Sequence, residues 1–145
     1  MANRATAAFI LSIIGAAYQM IAIYVASLVD RNWALNYYGY FGYQTLFFTS
    51  FLVIWSASHI LEDWRGRITW PSIILALGIT NLYLVIMAYY AQTSSPIQYS
   101  NTTSSLGAIL ALITGPVILT VAGILGLSAV RQYSRQHGGA VIAHA

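Results

Sequence analysis

The sequence contains no cysteine, which excludes disulfides, thiolate metal sites and cysteine nucleophiles. It contains no lysine either, so all six basic residues are arginine. Charge of both signs is scarce: Asp, Glu, Lys and Arg make up 6% of the 145 residues, against about 25% in an ordinary soluble domain. A chain with so little charge cannot clothe a water-facing globule, and its sequence shows no basic patch of the kind that nucleic-acid binding requires. What it has instead is apolar length. Hydrophobic residues make up 59% of the chain and the mean hydropathy is +0.70, which predicts an integral membrane protein built as one small domain.

The apolar sequence falls into four runs, at about 5–29, 43–61, 70–92 and 106–130. The first lies between Arg4 and Asp30-Arg31, and about 25 uncharged residues suffice to cross roughly 30 Å of hydrocarbon with some tilt. A cleaved signal peptide is the alternative there, but its apolar region would be only about 7–15 residues. Pro71 suits the first turn of the third run, because its missing N–H would be unpaired anyway. The four spans and their connections occupy residues 1–137, and 138–145 reads as a tail.

Orientation follows from the hairpin Glu62-Asp63-Trp64-Arg65-Gly66-Arg67, whose charges must lie in water or at the headgroups. Arg4, Arg65, Arg67, Arg131 and Arg135 fall on its side of the bilayer, and only Arg31 on the other. The positive-inside rule then places both termini in the cytoplasm of a multi-pass cell-membrane protein. Trp64 and Trp70 bracket the hairpin as interfacial anchors. The aromatic segment from Tyr37 to Tyr43 forms an opposite belt or a stacking surface for a partner. Asn101-Thr102-Thr103 is a glycosylation sequon, external in this topology.

Small and polar residues recur at helical spacing. Ala8, Ser12, Gly15, Gln19, Ala22 and Ala26 share one face of the first helix, and Thr45, Thr49, Leu52, Ser56, His59 and Asp63 one face of the second. Ala108, Ala111, Gly115, Ala122 and Gly126 do the same in the fourth, while Ala76, Thr80 and Asn81 are less regular in the third. Such stripes let membrane helices approach closely and hydrogen-bond. The fold expected is an all-α four-helix bundle with small residues inside. Its principal packing positions are Ala8, Ser12, Gly15, Gln19, Thr49, Ser56, Asn81 and Gly115. Gly115-Pro116 predicts a kink in the fourth helix.

Chemistry is sparse. His59, Glu62 and Asp63 can share a face at the membrane surface, as a structural cluster, a proton relay or part of a metal site. A metal would want about four ligands, and only His137 is at hand to join them. Gln19 and Asn81, the polar residues deepest in their spans, either line a path or join helices by hydrogen bonds. No carboxylate or arginine lies mid-span, which argues against proton-coupled transport, and no paired histidines could clamp a haem. No catalytic motif is readable, so neither enzyme activity nor a cofactor is expected.

The opening Arg4-Ala5-Thr6-Ala7-Ala8-Phe9-Ile10-Leu11-Ser12-Ile13-Ile14-Gly15 resembles the start of small archaeal four-span membrane proteins of unassigned function. The resemblance covers about one span, implies that fold and an archaeal source, and brings no catalytic residue. The function expected is that of a non-catalytic structural or accessory subunit in a lipid bilayer. It would sit beside other membrane subunits, as in a respiratory or oxidase-type complex, or in an envelope lattice. The alternative is a small homo-oligomeric channel or carrier.

Overall fold

The computed structural model describes residues 2–29, 39–63, 67–94 and 102–136. They form four helices: α1 Ala2–Val29, α2 Gly39–Asp63, α3 Thr69–Ser94 and α4 Thr102–Gln136. Residues 30–38, with Arg31 and with Tyr37 and Tyr38 of the aromatic segment, lie outside the described residues, as do Trp64, Arg65, Asn101, His137 and the 138–145 tail. So do the side chains of Tyr40, Phe41, Tyr43, Ala26, Glu62, Asp63 and Ala108.

Each helix grows from a run that is nearly free of charge. In hydrocarbon a backbone can satisfy its own N–H and C=O groups only by coiling into a helix or closing a barrel. Three helices contain stretches long and apolar enough to cross a membrane, at Arg4–Val25, Thr69–Met87 and Leu110–Arg135. In α2 the described apolar stretch is shorter, Thr45–Ile60. The Ile68 carbonyl accepts from Ser72 N at 3.1 Å and opens α3, which puts Pro71 within the first turn, where no N–H is missed.

The helices extend past the expected runs, α2 beginning at Gly39 and α4 at Thr102. α4 runs to Gln136 rather than ending near Val130, because Arg131 and Arg135 are good helix formers. Pro116 lies inside α4 without ending it.

Neighbouring helices run antiparallel. As the residue number rises along α1 it falls along α4: Ala8 faces Gly126, Gly15 faces Leu119 and Gln19 faces Gly115. Pro71, Leu75 and Gly78 of α3 likewise face Gly126, Gly123 and Thr120 of α4. α2 packs on α1 and on α3, closing an up-down-up-down ring in which the α1–α4 and α3–α4 seams are the most extensive.

The interior is layered. One apolar cluster holds Ala22, Ile23, Leu46, Val85 and Leu112. A second holds Ala16, Val53, Ala57, Ile60, Ile74, Leu119 and Ala122. On every helix the residues between these clusters are polar or small: Gln19, Thr49, Asn81 and Gly115. Large apolar side chains point the other way. Ile14, Ile21, Tyr24, Phe48, Phe51, Trp55, Ile79, Tyr83, Leu110 and Ile124 are all exposed. A polar layer inside and an apolar coat outside reverse the soluble pattern and suit a lipid surround.

Candidate functional site

The polar layer is the most organised feature of the bundle. Gln19 is 1% exposed, Asn81 0% and Thr49 8%, so water does not reach them as bulk solvent. Their polar groups instead satisfy one another across three helices. Gln19 Nε2 donates to the Leu46 carbonyl at 2.9 Å and approaches Thr49 Oγ1 at 3.4 Å. Asn81 Nδ2 donates to Thr49 Oγ1 at 3.0 Å and to Gln19 Oε1 at 3.3 Å. The Thr49 hydroxyl has two acceptors in reach, the Leu46 carbonyl at 2.9 Å and Asn81 Oδ1 at 3.3 Å, and one proton to give. Ser50 Oγ adds a further donor to the Leu46 carbonyl at 2.9 Å.

α4 contributes to this layer by having no side chain there. A Cβ built on Gly115 would stand 3.0 Å from Gln19 Cβ and 3.3 Å from its Cα, so α4 presses its backbone against α1 beside the amide. The next residue, Pro116, is fully buried and has no N–H for the carbonyl one turn back. Its own carbonyl accepts from Thr120 Oγ1 at 2.8 Å. The layer therefore contains two amides, two hydroxyls and the Leu46 carbonyl, all uncharged. That set can lock helices and hold a neutral hydrogen-bonding group. It has no group that would exchange a proton near neutral pH.

The other packing positions named from sequence lie inside as well: Ala8, Ser12, Gly15, Ser56 and Gly115 are all buried. Ser12 Oγ donates to the Ala8 carbonyl at 2.7 Å, whereas Ser56 Oγ is buried with no hydrogen-bond partner among the described residues. Not every stripe position faces inward. Thr45, Leu52, Ala76 and Thr80 are exposed. The inner line of α2 is Leu46, Thr49, Val53, Ser56 and Ile60, and that of α3 is Pro71, Ile74, Gly78, Asn81 and Val85. The sequence reading missed Gly78 and Gly123, where, among the described glycines, an added Cβ would meet its neighbours most closely. A Cβ on Gly123 would lie 2.7 Å from Leu75 N and Cα, and one on Gly78 2.7 Å from Thr120 N. Each is a glycine inside a helix, a placement about 1 kcal/mol less favourable than alanine and therefore a signal that close packing requires it.

His59 is placed in aromatic company. Its ring stacks on Trp70 with centroids 4.4 Å apart and planes at 21°, and Trp55 meets both rings edge-on at 5.4 and 5.5 Å. Trp70 Nε1 is buried without an acceptor among the described residues. Whether Glu62 and Asp63 reach the imidazole falls outside those residues. Among them, no three His, Cys, Asp or Glu side chains come together as metal ligands would. A cavity beside Trp70, Arg67 and Gly126 holds about 10 Å³, room for about one water and no ligand. Comparison with protein-family models, with curated proteins and with solved structures finds no match.

Proposed function

We propose that this protein is a non-catalytic structural subunit of a larger membrane assembly, spanning the bilayer four times with both termini in the cytoplasm. The observation that carries the reading is the sealed polar layer. The deepest polar side chains, those a transport path would use, are spent on one another at 0 to 8% exposure. A route through a single bundle would leave some of them facing a continuous water-accessible space.

A pore between copies finds little support on the outer faces. Their exposed residues are mainly Ile, Leu, Val, Phe, Tyr and Trp, and the exposed Thr114 hydroxyl is spent on the Leu110 carbonyl at 2.9 Å. These faces suit lipid tails or the apolar helices of neighbouring subunits. The four-span topology is supported by the uncharged run from Asn32 to Leu61 around α2, and the orientation by the arginine asymmetry.

Native mass spectrometry of the protein, extracted gently from its own membrane, tests the reading. Stoichiometric foreign subunits are expected. A closed homo-oligomer that conducts ions or solutes when reconstituted alone would overturn it in favour of a channel.

A further inference from the structure

At the hairpin end of the bundle, α1 and α4 enclose an open cleft of about 340 Å³ lined by Arg4, Ser128, Arg131, Gln132 and Arg135. That volume falls in the usual range of small-ligand pockets, roughly 300–1,000 Å³. We propose that this cleft binds a phosphate group, carried by an acidic lipid headgroup or by a free anion.

The placement of the residues is the first argument. Ser128, Arg131, Gln132 and Arg135 are spaced three, one and three residues apart, so all four share one face of α4. The antiparallel register that sets Ala8 against Gly126 carries Arg4 to the level of Arg131. Three arginines from two helices thus line one cleft, and among the described residues no acid lines it.

Energetics supply the second argument. Arg131 and Arg135 lie near the C-terminus of α4, where the helix dipole favours cations. Arg4 has no such reason to be there. It stands in the first turn of α1, a turn without an acid, at the positive end of that dipole. Bringing it beside two like charges is unfavourable unless an anion joins them. Arginine is the side chain that grips phosphate through paired N–H donors, and the Gln132 amide adds another donor. Ser128 Oγ already gives its proton to the Leu125 carbonyl at 2.8 Å, so it shapes the cleft rather than donating to the ligand.

The exposed charge points the same way. Among the described side chains at this end of the bundle, Arg4, Arg67, Arg131 and Arg135 are exposed. The proposal goes beyond the structural reading and does not need it, since an arginine cleft would hold phosphate in a channel or a scaffold alike.

The test is retention of ligand by the full-length protein in a neutral detergent, read by native mass spectrometry. Phosphatidylglycerol, phosphatidylcholine and inorganic phosphate are titrated separately. Phosphatidylglycerol should be retained about tenfold more tightly than phosphatidylcholine, the worth of roughly one charge-assisted contact. Its affinity should fall as salt rises. Displacement by millimolar inorganic phosphate assigns the site to the phosphate group alone, and resistance to it assigns the site to the whole headgroup. The triple variant Arg4→Gln/Arg131→Gln/Arg135→Gln should lose the preference, and Arg131→Lys should weaken it. Arg67→Gln removes the same charge outside the cleft and should leave the preference intact. Equal retention of both lipids with no phosphate binding would overturn the proposal, as would an unchanged preference in the triple variant or an equal loss in Arg67→Gln. A folded triple variant is verified by its unchanged helical circular dichroism. Should it not fold, the single Arg131→Gln is compared with Arg67→Gln in its place.

Discussion

Along the α3–α4 seam the backbones themselves meet, at Gly78 against Thr120 and Gly123 against Leu75. α2 is held differently, by its Leu46 carbonyl, which accepts from Gln19 of α1, and by its Thr49 hydroxyl, which accepts from Asn81 of α3. Backbone contact gains dispersion along the whole seam and tolerates no added atom. A hydrogen-bonded layer gains little per bond, about 0.6 kcal/mol on average between membrane helices, but it fixes which residues stand opposite which. The glycine seam sets how closely the helices pack, and the polar layer sets their register. A bundle coated in apolar residues needs the second device, because sliding or rotating a helix exchanges one apolar face for another at little cost.

The difference predicts an order of mutational effects, readable as unfolding free energies in mixed detergent micelles. Gly123→Ala should be the most damaging, by about 3 kcal/mol, because the new methyl meets Leu75 backbone that cannot step aside. Gly15→Ala should cost clearly less, since its methyl would meet the Leu119 side chain, with Cδ2 at 2.8 Å, and that side chain can change rotamer. Equal effects at the two positions would show that the seam is not set by backbone contact.

Asn81→Ala should come next, at about 2 kcal/mol, from lost bonds to Thr49 and Gln19 together with the cavity left behind. A double-mutant cycle on Gln19 and Asn81 should return a coupling of about 0.6 kcal/mol or more. Additive single effects would break the idea of one connected layer. Thr49→Val keeps the shape and removes the hydroxyl, so about 1 kcal/mol is expected. Ser56→Ala belongs at the bottom. Its hydroxyl has no partner among the described residues, and removing it should be neutral or slightly stabilising. A loss above about 1 kcal/mol there would reveal a bond to some other part of the chain.

How much of this could be read from the sequence depended on how distinctive each residue is in an apolar background. α1 was legible because its inner face is made of Ala, Ser, Gly and Gln at steps of four and three, while its outer face carries Ile, Tyr and Leu. α2 was legible only in part. Thr49 and Ser56 do face inward, but Thr45 and Leu52 do not, and the true inner line is completed by Leu46, Val53 and Ile60. Leucine, valine and isoleucine suit lipid and core equally well, so hydrophobicity could not tell the two faces apart. Gln19 and Asn81 stood out as candidates for either a path or a bridge. The nearest acceptor of Gln19 did not, because the Leu46 carbonyl is backbone and leaves no mark in the residue alphabet. The stacking of His59 on Trp70 was hidden in the same way, since it joins the end of α2 to the start of α3 across the hairpin. The arginines were visible, but as a count for orientation. Their convergence on one cleft required knowing that α1 and α4 run side by side.

The absence of cysteine makes the decisive measurement simple, because any introduced thiol is unique. Thr49→Cys places one in the polar layer with little change of shape, and Gln132→Cys places one at the exposed end of α4. In native membranes treated on the cytoplasmic side with a charged, membrane-impermeant thiol reagent, the account predicts rapid modification at 132. Position 49 should stay unmodified until the protein is unfolded. Ready modification at position 49 in the folded protein would mean that water reaches the layer, and the sealed structural lock would have to give way to a path.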